Sequence, residues 1–330
     1  MNWQALPKVE LHLHMDTSLS YEGVRQLAPS VTHEDYLRDF AGPEHCADLH
    51  DFLSHVPPIM RLLQTERGLT VLVQDMFRQL VADGMMYAEL RFAPHQHLEG
   101  GLKVQDVVRI IEAEVERNIR DTGIEARLIL CSLRHFDLAK SVETVELVEQ
   151  FQGSLVAGFD LAGDEAGYPL SKHMEAFRLA QDRKLSITSH AGEACGPESI
   201  WETLEAIHPP RIGHGVRSIE DPALVQVLKQ QGIHLEICPT CNVQLSVFPS
   251  YPAHAINTLY HEGLSLGIST DNRTLTPITL TREYEKLASV FGWEKADFLR
   301  CNLYALDAAF VPPMLKETLR RKLIAGYEQD

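Results

Sequence analysis

The chain has 330 residues, of which 45% are hydrophobic and 23% charged, so it can bury a large core and fold as a globular protein. Its formal net charge of −16 argues against binding nucleic acid, and no apolar run of about 18 residues predicts a membrane span. The first residues lack the pattern of a signal peptide, so we expect a cytoplasmic protein with reduced cysteines.

Eight short apolar or β-branched runs recur along the chain, with amphipathic stretches between them. This alternation is typical of a parallel sheet with crossover helices, and eight strands predict an α/β fold, a (β/α)8 barrel of the TIM type. No linker or repeat divides the chain, so we expect one domain over residues 1–330. The predicted strands are Val9–His14, Met86–Phe92, Ala126–Leu133, Val156–Leu161, Ser186–His190, Arg211–His214, His234–Cys238 and Ser265–Thr270.

Two further regions exceed what a plain barrel needs. The connection Ser20–Gln64, between the first and second strands, is long enough to hold extra helices and to fold over the barrel mouth. At the other end of the chain, Phe291–Tyr327 predicts closing helices. Between strands, Leu69–Ala82 and Val104–Arg120 have apolar residues three and four apart, as helices packed on a barrel exterior do.

Four residues at predicted strand ends form a candidate metal site. His12 and His14 are two residues apart on the first strand, so both side chains lie on one face. His190 and Asp271 follow later strands, and the carboxyl ends of all strands meet where such barrels carry their chemistry. A lone His-x-His is more often structural, but the set of four indicates a metal, for which three imidazoles and one carboxylate favour Zn²⁺ without excluding other ions.

Two more residues are candidates for proton transfer and orientation. Glu193 lies three residues after His190, across a glycine, where its carboxyl group can reach the metal site or can instead cap the next helix. His214 lies between two glycines at a strand end, which leaves its ring room to approach an attacking water. The pair Cys238 and Cys241 can be read as a redox motif, but no second pair accompanies it and we expect it to line the end of the seventh strand.

Along nearly its whole length the chain resembles the adenosine deaminase family, within the metallo-dependent amidohydrolase superfamily. The resemblance is carried, in the family's order, by His12-Leu13-His14-Met15-Asp16, Asp160-Leu161-Ala162-Gly163-Asp164-Glu165, His190-Ala191-Gly192-Glu193, Arg211-Ile212-Gly213-His214-Gly215 and Ser269-Thr270-Asp271-Asn272. It implies a zinc-dependent hydrolytic deamination of adenosine, and of 2′-deoxyadenosine, to inosine and ammonia in purine salvage. The implied ligand is a small purine nucleoside, with no organic cofactor and no obligate protein partner evident.

The resemblance also implies a role for each site residue. One Zn²⁺ per chain would be held by His12, His14, His190 and Asp271. Glu193 would protonate ring nitrogen N1, while His214 and Asp271 would position the attacking water. For substrate binding, His14 would line the site, Gly163 would meet N3 through its backbone amide, Asp16 would hold the ribose 5′-hydroxyl and Asn272 would meet N7.

Three features depart from, or add to, the family pattern. Thr17 stands where relatives usually have Gly, and Asn272 where many have Asp. An amide can donate to N7 without the protonation that a carboxyl group needs, so Asn272 keeps its predicted role. Residues at helical spacing in the long first connection stand where the family has an apolar gate over the purine, so the resemblance implies a gate, although core packing explains them equally well. They are Leu49, Phe52 and Leu53.

Alternatives remain at this point. Asp16, where adenine deaminases usually carry Glu, favours a nucleoside over free adenine, and Thr17 bears on 5′-substituted adenosines. A nucleotide substrate is less favoured because the motifs are flanked mainly by acidic and neutral residues. A two-metal hydrolase would need a bridging lysine or glutamate after the fourth strand, where Asp160 and Gly163 stand instead. A catalytically silent barrel would be expected to lack a metal ligand or Glu193, and neither is missing.

Overall fold

The structure is a computed structural model that describes residues 1–328. It contains eight strands, each close to a run that the sequence predicts. The strands are Lys8–His14 (β1), Met85–Phe92 (β2), Glu125–Leu133 (β3), Val156–Ala162 (β4), His190–Ala191 (β5), Arg211–His214 (β6), His234–Ile237 (β7) and Leu266–Ile268 (β8).

All neighbouring strands pair in parallel, in the order β1-β2-β3-β4 and β5-β6-β7-β8. Two isolated parallel bridges join these halves, Phe159 with Ile187 and Leu13 with Asp271. At the second bridge the backbone N–H of His14 donates to the carbonyl of Asp271 at 2.7 Å. The sheet therefore closes on itself, which confirms the predicted (β/α)8 barrel of the TIM type.

Fifteen α-helices surround and close the barrel within residues 1–328. The extra helices predicted in the β1–β2 connection are α1 to α4, and those at the C-terminus are α14 and α15. The helices are Tyr21–Leu27 (α1), His33–Asp39 (α2), Leu49–Leu53 (α3), Pro57–Leu62 (α4), Glu66–Ala82 (α5), Val104–Thr122 (α6), Leu138–Gln150 (α7), Met174–Asp182 (α8), Pro197–Ile207 (α9), Pro222–Gln231 (α10), Pro239–Gln244 (α11), Ile256–His261 (α12), Leu280–Phe291 (α13), Lys295–Ala308 (α14) and Pro313–Glu328 (α15).

The fifth strand is shorter than predicted. The sequence predicts Ser186–His190, but regular pairing begins only at His190. Thr188 donates through its backbone N–H to Phe159 of β4, at 3.0 Å, whereas the carbonyl of Ser189 accepts from Gly213 of β6, at 3.0 Å. The segment thus bonds first to one neighbour and then to the other, which carries the chain across the junction between the two halves.

One large apolar core packs the helices on the barrel, and a smaller apolar cluster is separate from it, formed by Ala93, Cys131, Leu133 and Ala162. Helix α5 shows how the sequence builds the large core: the hydroxyl of Thr65 accepts from the N–H of Gly68 at its start, and its apolar face, including Leu69, Leu72 and Met76, is fully buried. Among residues 1–328, no helix is both long and apolar enough to cross a membrane.

Candidate metal centre and active site

The four predicted metal ligands meet at the carboxyl end of the barrel. One ring nitrogen or carboxylate oxygen from each of them lies within 4.8 Å of the others. The Nε2 atoms of His14 and His190 are 3.1 Å apart, and Oδ1 of Asp271 lies 3.3 Å from Nε2 of His12 and 3.5 Å from Nε2 of His14. These atoms surround a single point, as the ligands of one ion do.

Buried carboxylates fix the tautomers of two of these histidines. Nδ1 of His12 lies 2.9 Å from Oε2 of Glu236, and Nδ1 of His190 lies 3.2 Å from Oδ1 of Asp160. Since an ionised carboxylate only accepts, both rings carry their hydrogen on Nδ1 and direct the Nε2 lone pair into the cluster. Nε2 of His12 is fully buried without a hydrogen-bond partner. The donor set thus fits a divalent cation and suits Zn²⁺ well.

A buried arginine joins the two supporting carboxylates. Arg91 on β2 donates through Nη1 to Asp160, at 2.9 Å, and through Nη2 to Glu236, at 2.7 Å. Burial opposes ionisation of Asp160, but the neighbouring His190 and Arg91 hold the pKa of this carboxyl below its ordinary value. Asp160 therefore stays ionised at the centre of the protein, and both carboxyl groups, held by the same guanidinium, can orient the histidines.

Glu193 lines the same cavity, but it does not form a set of possible metal ligands with His12 or His14. It is 4% exposed, and burial, together with the charges of Asp271 and Glu165, raises the pKa of its carboxyl group well above the ordinary value. Glu193 caps no helix: α9 begins after Gly196, which provides no side-chain cap. A carboxyl group with a raised pKa holds its proton to a higher pH and can donate it to a ring nitrogen.

The loop that carries Glu193 is held by Glu165, whose carboxylate accepts from four consecutive backbone amides. These are the N–H groups of Gly192, Glu193, Ala194 and Cys195, at 2.7 to 3.1 Å. Such a cradle fixes the direction in which the Glu193 side chain leaves the backbone. It also places a second carboxylate nearby, which is one reason for the raised pKa of Glu193.

A chain of hydrogen bonds fixes the tautomer of His214. The backbone N–H of Ile256 donates to Nδ1 of His254 at 3.0 Å, so His254, kept neutral because burial lowers its pKa to about 3, carries its hydrogen on Nε2. That nitrogen lies 3.2 Å from Oδ1 of Asn242, whose Nδ2 lies 3.1 Å from Nδ1 of His214. The amide therefore donates to Nδ1 of His214, and the hydrogen of the neutral ring is on Nε2.

This Nε2 of His214 lies 3.3 Å from Oε1 of Glu193 and has no hydrogen-bond partner. It is an N–H donor aimed into the active site, and it offers no lone pair to an ion. His214 can also be grouped with His12, Cys238 and Asp271 as a set of metal-binding residue types. Its tautomer argues against that set and for the set of His12, His14, His190 and Asp271.

Asp271 is held in an uncommon conformation by its neighbours. Its φ is +67°, and that of His214 is +61°, in the left-handed region that costs a non-glycine residue on the order of 1–3 kcal/mol. The thiol of Cys241 donates to Oδ2 of Asp271 at 2.8 Å, which leaves Oδ1 facing the histidines. Gly213 is needed for close approach, since a Cβ there would lie 2.9 Å from Cε1 of His12.

A cavity of about 740 Å³ opens from the four predicted metal ligands to the barrel mouth. Every other predicted site residue lines it: Asp16, Gly163, Asn272, and the gate residues Leu49, Phe52 and Leu53 of α3. Oδ2 of Asp16 accepts from the backbone N–H of Ala93 at 2.9 Å. Gly163 has a φ of +96°, so glycine is required by the backbone conformation. Phe52 is 1% exposed and packs in the core, as the core-packing interpretation expects, and the gate stays a prediction.

Several residues on which the site depends have no predicted role of their own. Arg91, Glu236 and Asn242 support ligands or His214, and Asp160 and Glu165 were recognised only as parts of a motif. A signal existed for two of them: Arg91 and Glu236 are charged residues inside apolar strands, which are costly unless paired. Nothing in the local pattern around Asn242 indicates its contact with His214.

Comparison with known proteins agrees with this geometry. Residues 7–326 match the family model described as adenosine deaminase. The adenosine deaminase of Enterococcus faecalis is 33% identical over 328 residues, which cover 98% of this chain and 97% of that protein. The fold is also that of the adenine deaminase of Arthrobacter aurescens, with a TM-score of 0.90 at 24% identity, covering 98% of this chain and 100% of that one.

A second solved structure of the same fold holds a metal. It is an amidohydrolase from Burkholderia ambifaria with bound zinc, with a TM-score of 0.90 at 23% identity, covering 99% of this chain and 92% of that one. The family match extends over nearly all of the chain, and so does the similarity to the curated relative. The chain therefore belongs to the adenosine deaminase family, in the metallo-dependent amidohydrolase superfamily.

Proposed function

We propose that this protein is a zinc-dependent hydrolytic deaminase that converts adenosine, and 2′-deoxyadenosine, to inosine or deoxyinosine and ammonia. Membership of the family supports a hydrolytic deaminase with a small purine ligand. The observation that carries the proposal is the buried carboxyl of Glu193, with its raised pKa, in the cavity of about 740 Å³ that opens from the set of four metal-binding side chains.

His12, His14, His190 and Asp271 would hold the ion, and a zinc-bound relative supports its identity. When bound, zinc supplies a Lewis acid that lowers the pKa of water to about 7. The carboxylates of Glu236 and Asp160 keep the histidine lone pairs directed at the site before any ion binds.

The chain's own residues would carry the proton transfers. Water adds to C6 of the purine while Glu193 donates its proton to N1, so the ring accepts the new electron pair without building a full negative charge. Of the two protons of the added water, one goes to the exocyclic amine, which leaves as ammonia, and the other returns to Glu193, while the C6 oxygen is retained as the carbonyl of the product. The N–H at Nε2 of His214 would donate to the oxygen that adds to C6.

The wall of the cavity would hold the nucleoside. Asp16 would accept from the 5′-hydroxyl, because its carboxylate is anchored on Ala93 at the cavity wall and its second oxygen is not used there. Gly163 would meet N3 and Asn272 would meet N7, both from the cavity wall. Closure of α3 over the base, through Leu53 in particular, would exclude water.

A 5′-substituted adenosine is the second candidate substrate. The residues that line the cavity include the exposed side chains of His50, Arg61 and His135, which would be polar neighbours for a substituent on C5′. Arg61 is cationic, which the sequence flanking the motifs did not suggest. The adenine deaminase with this fold makes the free base a third compound to test.

The proposal is tested by ultraviolet spectroscopy of zinc-loaded protein with adenosine, 2′-deoxyadenosine, adenine, 5′-methylthioadenosine and AMP in parallel. Adenosine and deoxyadenosine should have the highest kcat/KM. A higher value for adenine, the thioether or AMP would move the function to that substrate. Absence of turnover of all five, in protein shown to bind one equivalent of zinc, would indicate a silent barrel.

A further inference from the structure

Two residues in which this chain departs from the usual family pattern contact each other in the cavity wall. Thr17 ends the short turn that follows β1, and Asn272 follows Asp271 after β8. The hydroxyl of Thr17 donates to the side-chain oxygen, Oδ1, of Asn272. Both residues are 7% exposed, and both line the cavity.

The backbone around this pair is tied together, so the amide has little freedom to move as a whole. The N–H of Thr274 donates to the carbonyl of Thr17 at 3.1 Å, and that of Arg273 donates to the hydroxyl of Ser18 at 2.9 Å. The carbonyl of Asn272 accepts from the N–H of Thr276 at 2.8 Å. The freedom that remains is the rotation that exchanges the amide oxygen and nitrogen of Asn272.

The hydroxyl of Thr17 removes that freedom. Its other acceptor within reach, the carbonyl of His14, is 3.4 Å away and already accepts from the hydroxyl of Ser18 at 2.6 Å. Oδ1 of Asn272 lies closer to the Thr17 hydroxyl than the carbonyl of His14 does, so Asn272 is the main acceptor of its proton. With its oxygen engaged, the Asn272 amide has two N–H donors left. One lies beside the carboxylate of Asp271, and the other is available to a ligand in the cavity.

We infer that Thr17 is a specificity-determining residue: it fixes the Asn272 amide as a hydrogen-bond donor, so the site selects a purine with an acceptor at N7. This inference rests on the proposed function and deepens it. A 7-deaza purine, with C–H in place of N7, leaves the amide N–H without a partner against the base. Without the Thr17 hydroxyl, only the contact with Asp271 holds the amide orientation, so Asn272 turns its oxygen to the ligand more readily and the penalty for C–H shrinks.

The test compares inosine with 7-deazainosine, two product-like ligands that differ only at position 7. Their dissociation constants are measured by calorimetry on the zinc-loaded wild-type protein and on Thr17→Val, which keeps the shape but not the hydroxyl. Wild type should favour inosine about tenfold, the size of one hydrogen bond, and Thr17→Val should favour it only about two- to threefold. Because both dissociation constants are measured on the same variant, a smaller folded fraction affects both equally and leaves their ratio unchanged.

Thr17→Ser is the matched control, because it restores the hydroxyl and should restore the wild-type ratio. The inference is overturned when Thr17→Val keeps the wild-type ratio, or when Thr17→Ser loses as much as Thr17→Val. Turnover of adenosine by the wild-type protein distinguishes a failure of this inference from a failure of the proposed function. If adenosine is deaminated and the ratios do not differ, the inference alone is wrong; if no aminopurine is deaminated, the proposed function fails and the inference with it.

Discussion

Replacing Asn242 by leucine should damage catalysis through His214, although Asn242 does not reach the substrate. The side chain accepts from His254, at 3.2 Å, and donates to His214, at 3.1 Å. Leucine has nearly the same size and makes neither bond. The N–H of His254 and the Nδ1 lone pair of His214 are then left buried without partners, at about 1–3 kcal/mol each, or about 2–6 kcal/mol of unfolding free energy in total.

The effect on catalysis comes from the tautomer. A hydrogen bond of about 1.4 kcal/mol favours the Nε2–H form of His214 about tenfold, so its loss should lower the fraction of that form from about nine-tenths to about one-half, and kcat should fall about twofold while KM changes little. The assay is kcat for the preferred aminopurine per folded active site, with the folded fraction taken from denaturant unfolding at the same temperature.

A matched control separates catalysis from stability. Asn302 is a second buried asparagine, far from the site, that accepts from the N–H of Val9 at 2.7 Å and donates to Tyr284 and Phe298. Asn302→Leu should lose a similar amount of stability and keep the wild-type kcat per folded site. If Asn242→Leu also keeps the wild-type kcat, the hydrogen-bond chain does not govern His214.

Three further predictions follow from the buried charges and the metal site. Arg91→Met should cost about 3–5 kcal/mol of stability and weaken zinc binding about 10- to 100-fold in a chelator competition, since Asp160 and Glu236 lose their shared cation; unchanged zinc affinity would refute this. Zinc at about 1,000 times its Kd should raise the unfolding free energy by about 4 kcal/mol over chelator-treated protein, and equal melting temperatures would count against the site. Burial, with a smaller contribution from Arg211, lowers the pKa of His234 to about 3, so only the unfolded chain binds this proton between that pH and about 6.5. Stability from this residue should be complete above pH 6.5 and fall as the pH falls towards 3, and melting curves of His234→Gln should show a weaker pH dependence than wild type or the exposed control His45→Gln.

Much of the architecture could be predicted because its pattern is local. Eight apolar runs with amphipathic stretches between them indicate the barrel, and their ends place His12, His190 and Asp271 on one face. The boundary of β5 could not be predicted, because it depends on which neighbour the backbone of Thr188 and Ser189 bonds to.

The interactions behind the ligands could not be predicted for a related reason. Arg91 and Glu236 are 145 residues apart, and Asn242 meets His214 across the barrel end, so no spacing rule connects them. The contact of Thr17 with Asn272 spans 255 residues. Sequence alone showed two separate departures there, whereas the closed barrel makes them one hydrogen-bonded pair.

The most direct test of the account is the conversion of adenosine to inosine by zinc-loaded protein, measured beside Glu193→Gln. The variant keeps the size of the side chain but has no carboxyl proton to donate to N1. The account predicts conversion by the wild type and a kcat lower by about 10² to 10⁴ in the variant, with zinc still bound. No conversion by the wild type, or a variant as fast as the wild type, would contradict it.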